Sequence, residues 1–164
     1  MNLTPDYQAI EEQIISAIKS LPVCLPSGTA RNGDWTKQIK MQLRSIGEQH
    51  KFLVMPNDSE GQWLFDLIWF INDNSGHLRE LTLALESEWG KDIWNIQEDF
   101  EKLLIAKAHI KVMLFQDNGN NLSEIWQYLA TAIKVFEMCS PGEIYILAAF
   151  KEEQHEYEIK VVRT

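Results

Sequence analysis

The sequence predicts a single α/β domain of three layers, in which a mixed central sheet carries helices on both faces. Apolar residues recur at helical spacing in the first fifty residues, whereas later segments include short apolar runs bounded by turn residues. One helical segment leads directly into a short apolar run, which indicates a crossover connection onto the same sheet. We expect the 164 residues to form one domain, 1–164.

The composition excludes several classes of protein. An apolar fraction of 45% is typical of a globular domain and too high for a disordered chain. No apolar run approaches the roughly 18 residues of a membrane span, and the N-terminus lacks the features of a signal peptide. Cys24 and Cys139 are widely spaced, as in proteins of a reducing compartment, and the four His show no zinc spacing. We therefore expect a cytoplasmic protein without a membrane partner.

Two helices are predicted at the start of the chain. Thr4-Pro5 begins the first, because threonine is a good N-cap and proline fits the first turn. Pro22 and Pro26 are expected to end it. Asp34 is expected to cap the second helix, which runs to about His50.

The basic residues are concentrated in the second helix. The net charge of −9 argues against a protein that coats nucleic acid nonspecifically. Residues 31–51 nevertheless carry a net charge of +3, and the remainder carries −12. Lys37, Lys40, Arg44 and Lys51 recur at helical offsets and share one stripe. This stripe is either a local binding face or an ordinary solvated face.

Three strands are predicted next. Phe52–Met55 is a short strand, and Gln62–Ile71 is a longer apolar strand. Asn72–Gly76 is a strong turn signal, after which Leu78–Trp89 returns as the third strand. We expect the two long strands to form an antiparallel hairpin.

The second half alternates helices and strands. A helix is predicted over Gln97–His109, followed directly by the apolar strand Ile110–Phe115. Asn121 and Glu124 form a capping box for another helix, which Ser140–Gly142 ends.

The C-terminal helix and a closing hairpin together span residues 121–163. The strands of the hairpin are Glu143–Phe150 and Glu156–Arg163, joined by the polar segment Lys151–His155. Because the last strand could leave an exposed sheet edge that self-pairs, we expect a homodimer.

Acidic residues interrupt the two most apolar strands. Asp66 lies in the first of them, and Glu86 and Glu88 share a face of the second because side chains alternate along a strand. A buried carboxylate is costly unless something pairs with it. Three acids that converge from neighbouring strands suit a hard divalent cation. The alternatives are that Asp66 pairs with a buried lysine or caps a bulge, and that both glutamates face solvent.

With these acids in this order, residues 35–115 resemble the core of the restriction-endonuclease-like superfamily, the PD-(D/E)XK nucleases. That core is a helix, an antiparallel three-strand meander, a crossover helix and a further strand. The resemblance places Asp66 at the start of the second core strand and Glu86-Ser87-Glu88 on the third. Glu88 stands where lysine is usual, and Phe65 replaces the proline of the motif.

In some members of this superfamily the lysine lies on the following helix instead. Lys102 offers it here, three residues after Asp99 and on the same helix face. The first core helix of such proteins often adds another acid, for which Glu12 and Glu48 both qualify.

The resemblance implies metal-dependent hydrolysis of phosphodiester bonds in DNA or RNA. Asp66 and Glu86 would bind Mg²⁺ or Mn²⁺, and Glu88 would be a further ligand or the base that orients the attacking water. Lys102 would neutralise charge that grows on the phosphate. Three basic residues of the second helix would contact the nucleic-acid backbone: Lys37, Lys40 and Arg44.

Two other functions are compatible with the sequence. A nuclease fold without catalysis, acting as a protein-binding or regulatory module, agrees with the acidic charge, the small size and the missing motif lysine. A small chaperone-like adaptor is the other alternative, and it requires a large exposed apolar patch.

Overall fold

The computed structural model describes residues 5–25, 32–56, 64–90, 92–117 and 121–164. These residues form four helices and six strands. In chain order the elements are α1 (Tyr7–Cys24), α2 (Asn32–Gln49), β1 (Leu53–Met55), β2 (Leu67–Asn72), β3 (Leu78–Glu88), α3 (Ile93–Ile105), β4 (Ala108–Asp117), α4 (Leu122–Val135), β5 (Ile144–Lys151) and β6 (Glu156–Arg163).

All six strands join one mixed sheet, in which their spatial order is their order along the chain. β1, β2 and β3 form an antiparallel meander. β3, β4 and β5 are mutually parallel, with α3 and α4 as the two crossover helices, and β6 returns antiparallel to β5. The carboxyl ends of three parallel strands therefore meet at one edge of the sheet.

The sheet separates two hydrophobic cores. α1 and α2 pack on one face through residues such as Ile14 and Leu43, together with the strand residues Leu85 and Val112. α3 and α4 pack on the other face through an equivalent apolar set that includes Phe100. The predicted α/β class, with a mixed sheet and helices on both faces, is confirmed.

The first helix differs from the prediction at both ends. Its N-cap is Asp6, whose Oδ1 accepts a hydrogen bond from the N–H of Ala9 at 3.1 Å, while Thr4 lies outside the described residues. The helix continues through Pro22 to Cys24 instead of ending at the proline. Pro22 falls in the last turns and packs in the buried face of the helix, so the loss of one backbone hydrogen bond does not end it. Pro26 also lies outside the described residues.

The other helix boundaries shift because different residues form the caps. α2 starts at Asn32, so Asp34 lies within its first turn instead of capping it. Asp92 caps α3 by accepting the N–H of Trp94 at 3.0 Å, so this helix begins and ends four residues earlier than predicted. Asn121 precedes α4 but makes no side-chain capping hydrogen bond, and α4 ends at Val135, before Ser140–Gly142.

The hairpin between β2 and β3 is antiparallel, as predicted. Its turn is closed by a hydrogen bond from the N–H of Gly76 to the carbonyl of Asp73 at 3.1 Å, and Gly76 adopts φ +86°. A positive φ suits glycine because it has no Cβ. β2 begins only at Leu67, so Asp66 precedes the strand instead of lying within it.

The helices of the described ranges show no membrane span, since none combines the necessary length with sufficient apolar character.

Candidate active site

The predicted acids lie where ligands commonly bind in open α/β sheets, at the carboxyl ends of parallel strands. Glu86 is two residues from the end of β3, which runs parallel to β4. Because β2 is antiparallel to β3, the start of β2 lies beside the end of β3. This places Asp66 next to Glu86, although 20 residues separate them in sequence.

Asp66 is held by the residue that follows Glu86. Its Oδ2 accepts hydrogen bonds from the Ser87 N–H at 2.8 Å and from the Ser87 hydroxyl at 2.6 Å. The paired register of β2 and β3 ends at Leu67 and Leu85, so β3 extends past its neighbour. The Asp66 carboxylate therefore supplies the acceptor that the backbone of β2 does not provide there.

Glu86 is paired with a lysine from the crossover helix. Its side chain points to the α3 side of the sheet and the residue is only 4% exposed. Lys102 Nζ lies 3.0 Å from Glu86 Oε1 and 2.7 Å from Asp99 Oδ1. The contact with Glu86 Oε1 joins a buried carboxylate to an ammonium group that is partly exposed. Asp99 lies one helical turn before Lys102 and holds its ammonium group in this position.

The pKa values of this pair are displaced. Burial raises the pKa of Glu86 to about 7, because desolvation favours the neutral acid, and the charges of Asp66 and Asp99 add to the effect while Lys102 opposes it. Partial burial acts to lower the pKa of Lys102, but its contacts with Asp99 and Glu86 outweigh burial and raise it. Lys102 is therefore a permanent cation beside an acid that titrates near neutral pH.

Glu88 shares the strand face of Glu86 but makes a different contact. Its Oε1 accepts a hydrogen bond from the N–H of Gly90, two residues later. A Cβ at position 90 would lie 2.7 Å from this oxygen, so glycine permits the close approach. In this conformation Glu88 stabilises the turn after β3, whereas Glu86 reaches Lys102.

The predicted nucleic-acid-binding residues lie in the other helical layer. α2 packs on the sheet face opposite α3, and so Lys37, Lys40 and Arg44 are on a different layer from Lys102. Lys37 is exposed, and Lys40 is half-buried. Arg44 donates a hydrogen bond to the carbonyl of Pro56, at the end of β1. One of the three cations is therefore engaged with the backbone of the protein itself.

The two further acids predicted for the site stay apart from it. Glu12 is exposed on α1 and accepts a hydrogen bond from Gln8 at 3.5 Å. Glu48 is exposed near the C-terminal end of α2, about 18 Å along the helix axis from Thr36, which contacts Ser87. Neither contacts Asp66 or Glu86 in the part of the chain that the structure describes.

The donor set fits a divalent cation only in part. Across the described ranges, no three or more His, Cys, Asp or Glu side chains are arranged to hold a metal ion. Mg²⁺, however, commonly binds one or two carboxylates and completes its shell with water and substrate phosphates. Asp66 and Glu86 provide two carboxylates at one sheet edge. Glu86 Oε1 is buried, and the cation that it contacts in this structure is the Lys102 ammonium.

Sequence reasoning did not identify the residues that support Asp66. These residues are Ser87, Thr36 and Trp89. Thr36 Oγ1 lies 3.0 Å from Ser87 Oγ and accepts the indole N–H of Trp89 at 2.8 Å. The signal in the sequence is the position of Ser87 between two acids, because alternation along the strand places its hydroxyl on the face opposite Glu86 and Glu88.

The structure thus brings Glu86 and Lys102 into contact and adds Asp99 to them, while Asp66 is bound to the neighbouring Ser87 and its charge helps to raise the pKa of Glu86. Glu88 is adjacent to this group but turned toward Gly90. No protein-family profile matches the chain, and no curated protein and no solved structure shows significant similarity to it.

Proposed function

We propose that this protein hydrolyses phosphodiester bonds of nucleic acid in a metal-dependent reaction and has a restriction-endonuclease-like fold. The observation that carries the proposal is the contact of Lys102 with Glu86 beside Asp66. Two acids and a lysine form the proposed charged group, in which Asp66 directly precedes β2, Glu86 lies on β3 and Lys102 lies on α3. The lysine comes from the helix, which is the position that the resemblance implies when the strand carries glutamate instead.

The order of the elements supports the same proposal. α2, β1, β2 and β3 supply a helix and an antiparallel meander, and α3 then crosses over to the parallel strand β4. This is the arrangement that the resemblance implies for residues 35–115. In this proposal α4, β5 and β6 are additions that extend the sheet beyond β4.

Each residue of the group has a role in the proposed reaction. Asp66 and Glu86 would hold Mg²⁺ or Mn²⁺ together with an oxygen of the substrate phosphate. When bound, the ion supplies an activated water and neutralises charge at the phosphoryl group. The Lys102 ammonium, fixed by Asp99, stabilises the negative charge that grows on the phosphate oxygens. Glu88 would have to release the Gly90 N–H before it could orient a water.

The basic face of α2 has a smaller part in this proposal. Lys37 and Lys40 would contact backbone phosphates, which adds affinity without sequence selectivity. Arg44 contributes little to such binding while its guanidinium is occupied by the Pro56 carbonyl. Replacing Lys37 and Lys40 by glutamine is expected to remove about two phosphate contacts. The slope of log affinity against log salt concentration should then become less steep by about two.

Metal titration by calorimetry tests the proposal. Mn²⁺ and Mg²⁺ are titrated into wild type, Asp66→Asn and Glu86→Gln, with and without a phosphorothioate DNA duplex as an uncleaved phosphate source. We expect binding by wild type that both substitutions weaken at least tenfold. Glu98→Gln, at an exposed position of α3, is the matched control and should bind as wild type. Absence of metal binding by wild type in both conditions would reject the proposal. Where wild type binds the metal, cleavage of DNA and RNA substrates is measured for wild type and for the variants that fold.

A groove between α3 and α4 supports a second candidate function, a catalytically inactive protein-binding module. The groove has a volume of about 670 Å³, within the range of ligand-binding pockets. Three of its apolar side chains are largely exposed, namely Ile105, Val135 and Met138. Exposed apolar patches of this kind often mark interaction surfaces, which also suits the adaptor alternative.

A fluorescent apolar probe separates this candidate from the first. Anilinonaphthalene sulfonate should gain fluorescence with wild type and lose the gain with Val135→Glu, while Val23→Glu, at another exposed position, should not change it. Probe binding at the groove together with no metal binding and no cleavage would favour the second candidate.

A further inference from the structure

We infer that Trp89, Thr36 and Ser87 form a directed hydrogen-bond chain that positions the Asp66 carboxylate for its ligand. This inference rests on the proposed function, because it assigns positioning residues to the same site. The chain connects the α2 layer to a group whose other members lie on the α3 side of the sheet.

The direction of every hydrogen bond follows from the chemistry of the donors. An indole N–H can only donate, so Trp89 Nε1 donates to Thr36 Oγ1 at 2.8 Å. Ser87 uses its single hydroxyl hydrogen on Asp66 Oδ2 at 2.6 Å. Ser87 Oγ must therefore accept from the Thr36 hydroxyl across their 3.0 Å contact. All three hydrogens point toward the carboxylate.

The direction of these hydrogen bonds determines how the Asp66 carboxylate is held. Oδ2 receives both the hydroxyl and the backbone N–H of Ser87, so two converging donors fix the plane of the carboxylate. Hydrogen bonds that polarise one another in series are stronger together than separately. With Oδ2 occupied, the remaining oxygen of Asp66 is the one presented to a cation or to substrate.

The hydrogen-bond chain begins at Trp89, whose position is fixed by packing. Trp89 is 7% exposed, and its ring packs against Trp35 of α2 with centroids 5.9 Å apart. Thr36 follows Trp35 directly, so the same turn of α2 fixes both the tryptophan and the threonine of the chain. The orientation of Asp66 therefore depends on the packing of α2, which lies on the opposite face of the sheet from Lys102.

Threonine-to-valine substitutions provide the test, because they remove a hydroxyl while preserving shape. Thr36→Val breaks the chain at its middle, and Thr36→Ser retains the hydroxyl. Thr82→Val is the matched control, since Thr82 is a fully buried residue of β3 whose Oγ1 has no hydrogen-bond partner among the described residues. Mn²⁺ affinity is measured by calorimetry, in the presence of the phosphorothioate duplex, for wild type and the three variants.

We expect Mn²⁺ binding to weaken about tenfold or more in Thr36→Val and to stay near the wild-type value in Thr36→Ser and Thr82→Val. Loss of a residue that orients a metal ligand typically lowers metal affinity by about 10- to 100-fold. Equal affinities for wild type and Thr36→Val would overturn the inference and leave the proposed function standing.

A stability cycle separates the two claims if wild type binds no Mn²⁺, an outcome that rejects the proposed function. The urea midpoints of Thr36→Val, Ser87→Ala and the double variant are then compared. Shifts that are not additive would support the chain, because residues that share one hydrogen-bond network couple energetically. Additive shifts would overturn it.

Discussion

Lys102 Nζ lies 3.0 Å from Glu86 Oε1, so the crossover helix α3 places a cation beside the preceding strand, β3. The glutamate is buried while the lysine side chain remains 35% exposed. A buried acid of this kind depends on its partner, because an unpaired buried charge is strongly destabilising. The pair therefore links the stability of the fold to the chemistry proposed for the sheet edge.

Lys102→Met is expected to reduce phosphodiester cleavage by about 10² to 10³ while retaining metal binding, since one charge-stabilising donor typically contributes that factor. Removing the ammonium also removes a group that lowers the pKa of Glu86, so the pH at which Mn²⁺ binds should move upward. Cleavage rates and calorimetric titrations at several pH values provide the measurement.

Lys107→Met is the control for this substitution, because Lys107 is exposed just after α3. Its cleavage rate and pH profile should match those of wild type. An equal loss in both variants would assign the effect to overall charge instead of to the contact with Glu86.

Glu86→Gln is expected to stabilise the fold more at pH 8 than at pH 5. The folded pKa of Glu86, about 7, exceeds the ordinary value of 4.5, so the folded state binds more protons between these values than the unfolded state. The contribution of this group to stability therefore falls as the pH rises from about 4.5 to about 7. Glutamine does not titrate, and the free energy of unfolding of the variant relative to wild type should rise over this range by about 1 to 3 kcal/mol.

Urea unfolding at pH 5 and pH 8 measures this difference. Glu98→Gln, on the exposed face of α3, should show the same difference from wild type at both pH values. A constant offset for Glu86→Gln would contradict the raised pKa.

Gly47→Ala is expected to destabilise the fold and Gly33→Ala to stabilise it, although both residues lie in α2. A Cβ at position 47 would lie 2.7 Å from the indole nitrogen of Trp69, which is fully buried, so the core must shift at a cost of roughly 1 to 3 kcal/mol. Among the described residues, a Cβ at position 33 would meet nothing within 4 Å, and alanine favours the helix by up to about 1 kcal/mol. Thermal and urea unfolding of both variants check the contrast, which equal destabilisation would contradict.

Lys111→Met is expected to destabilise the protein by about 3 to 5 kcal/mol, because it leaves a buried carboxylate without its cation. Lys111 Nζ is fully buried and lies 2.8 Å from Glu143 Oε2 and 3.0 Å from the hydroxyl of Tyr145. Adding Glu143→Gln to Lys111→Met should recover part of the loss. Urea unfolding of the two single variants and the double variant measures the coupling, and a double variant as unstable as the sum would refute it.

The strand pattern could be predicted from the sequence because one face of each strand is constrained by burial. The hairpin of β2 and β3 and the shared face of Glu86 and Glu88 follow from alternation and turn residues alone. A role for Lys102 near the acids was an expectation from the resemblance, and the spacing of Asp99 and Lys102 placed both on one helix face.

Other features could not be predicted because they depend on which of several suitable residues forms a cap or contact. Asp92 begins α3, although the apolar pattern alone suggested a start near Gln97. The turn of Glu88 toward Gly90 depends on the local backbone path. The bond between Thr36 and Ser87 joins residues 51 positions apart, and no periodic pattern carries such information.

The amide of Ser87 can report on the conformation of Asp66, because its hydrogen is bonded to that side chain. Its rate of exchange with deuterated solvent should report the orientation of Asp66 directly, in the absence of any metal or substrate. Exchange at this one amide would accelerate when the carboxylate turns away, while the amides that pair within the β3–β4 ladder stay protected. Hydrogen exchange at the Ser87 amide therefore measures how well the carboxyl end of β3 is ordered before any ligand binds.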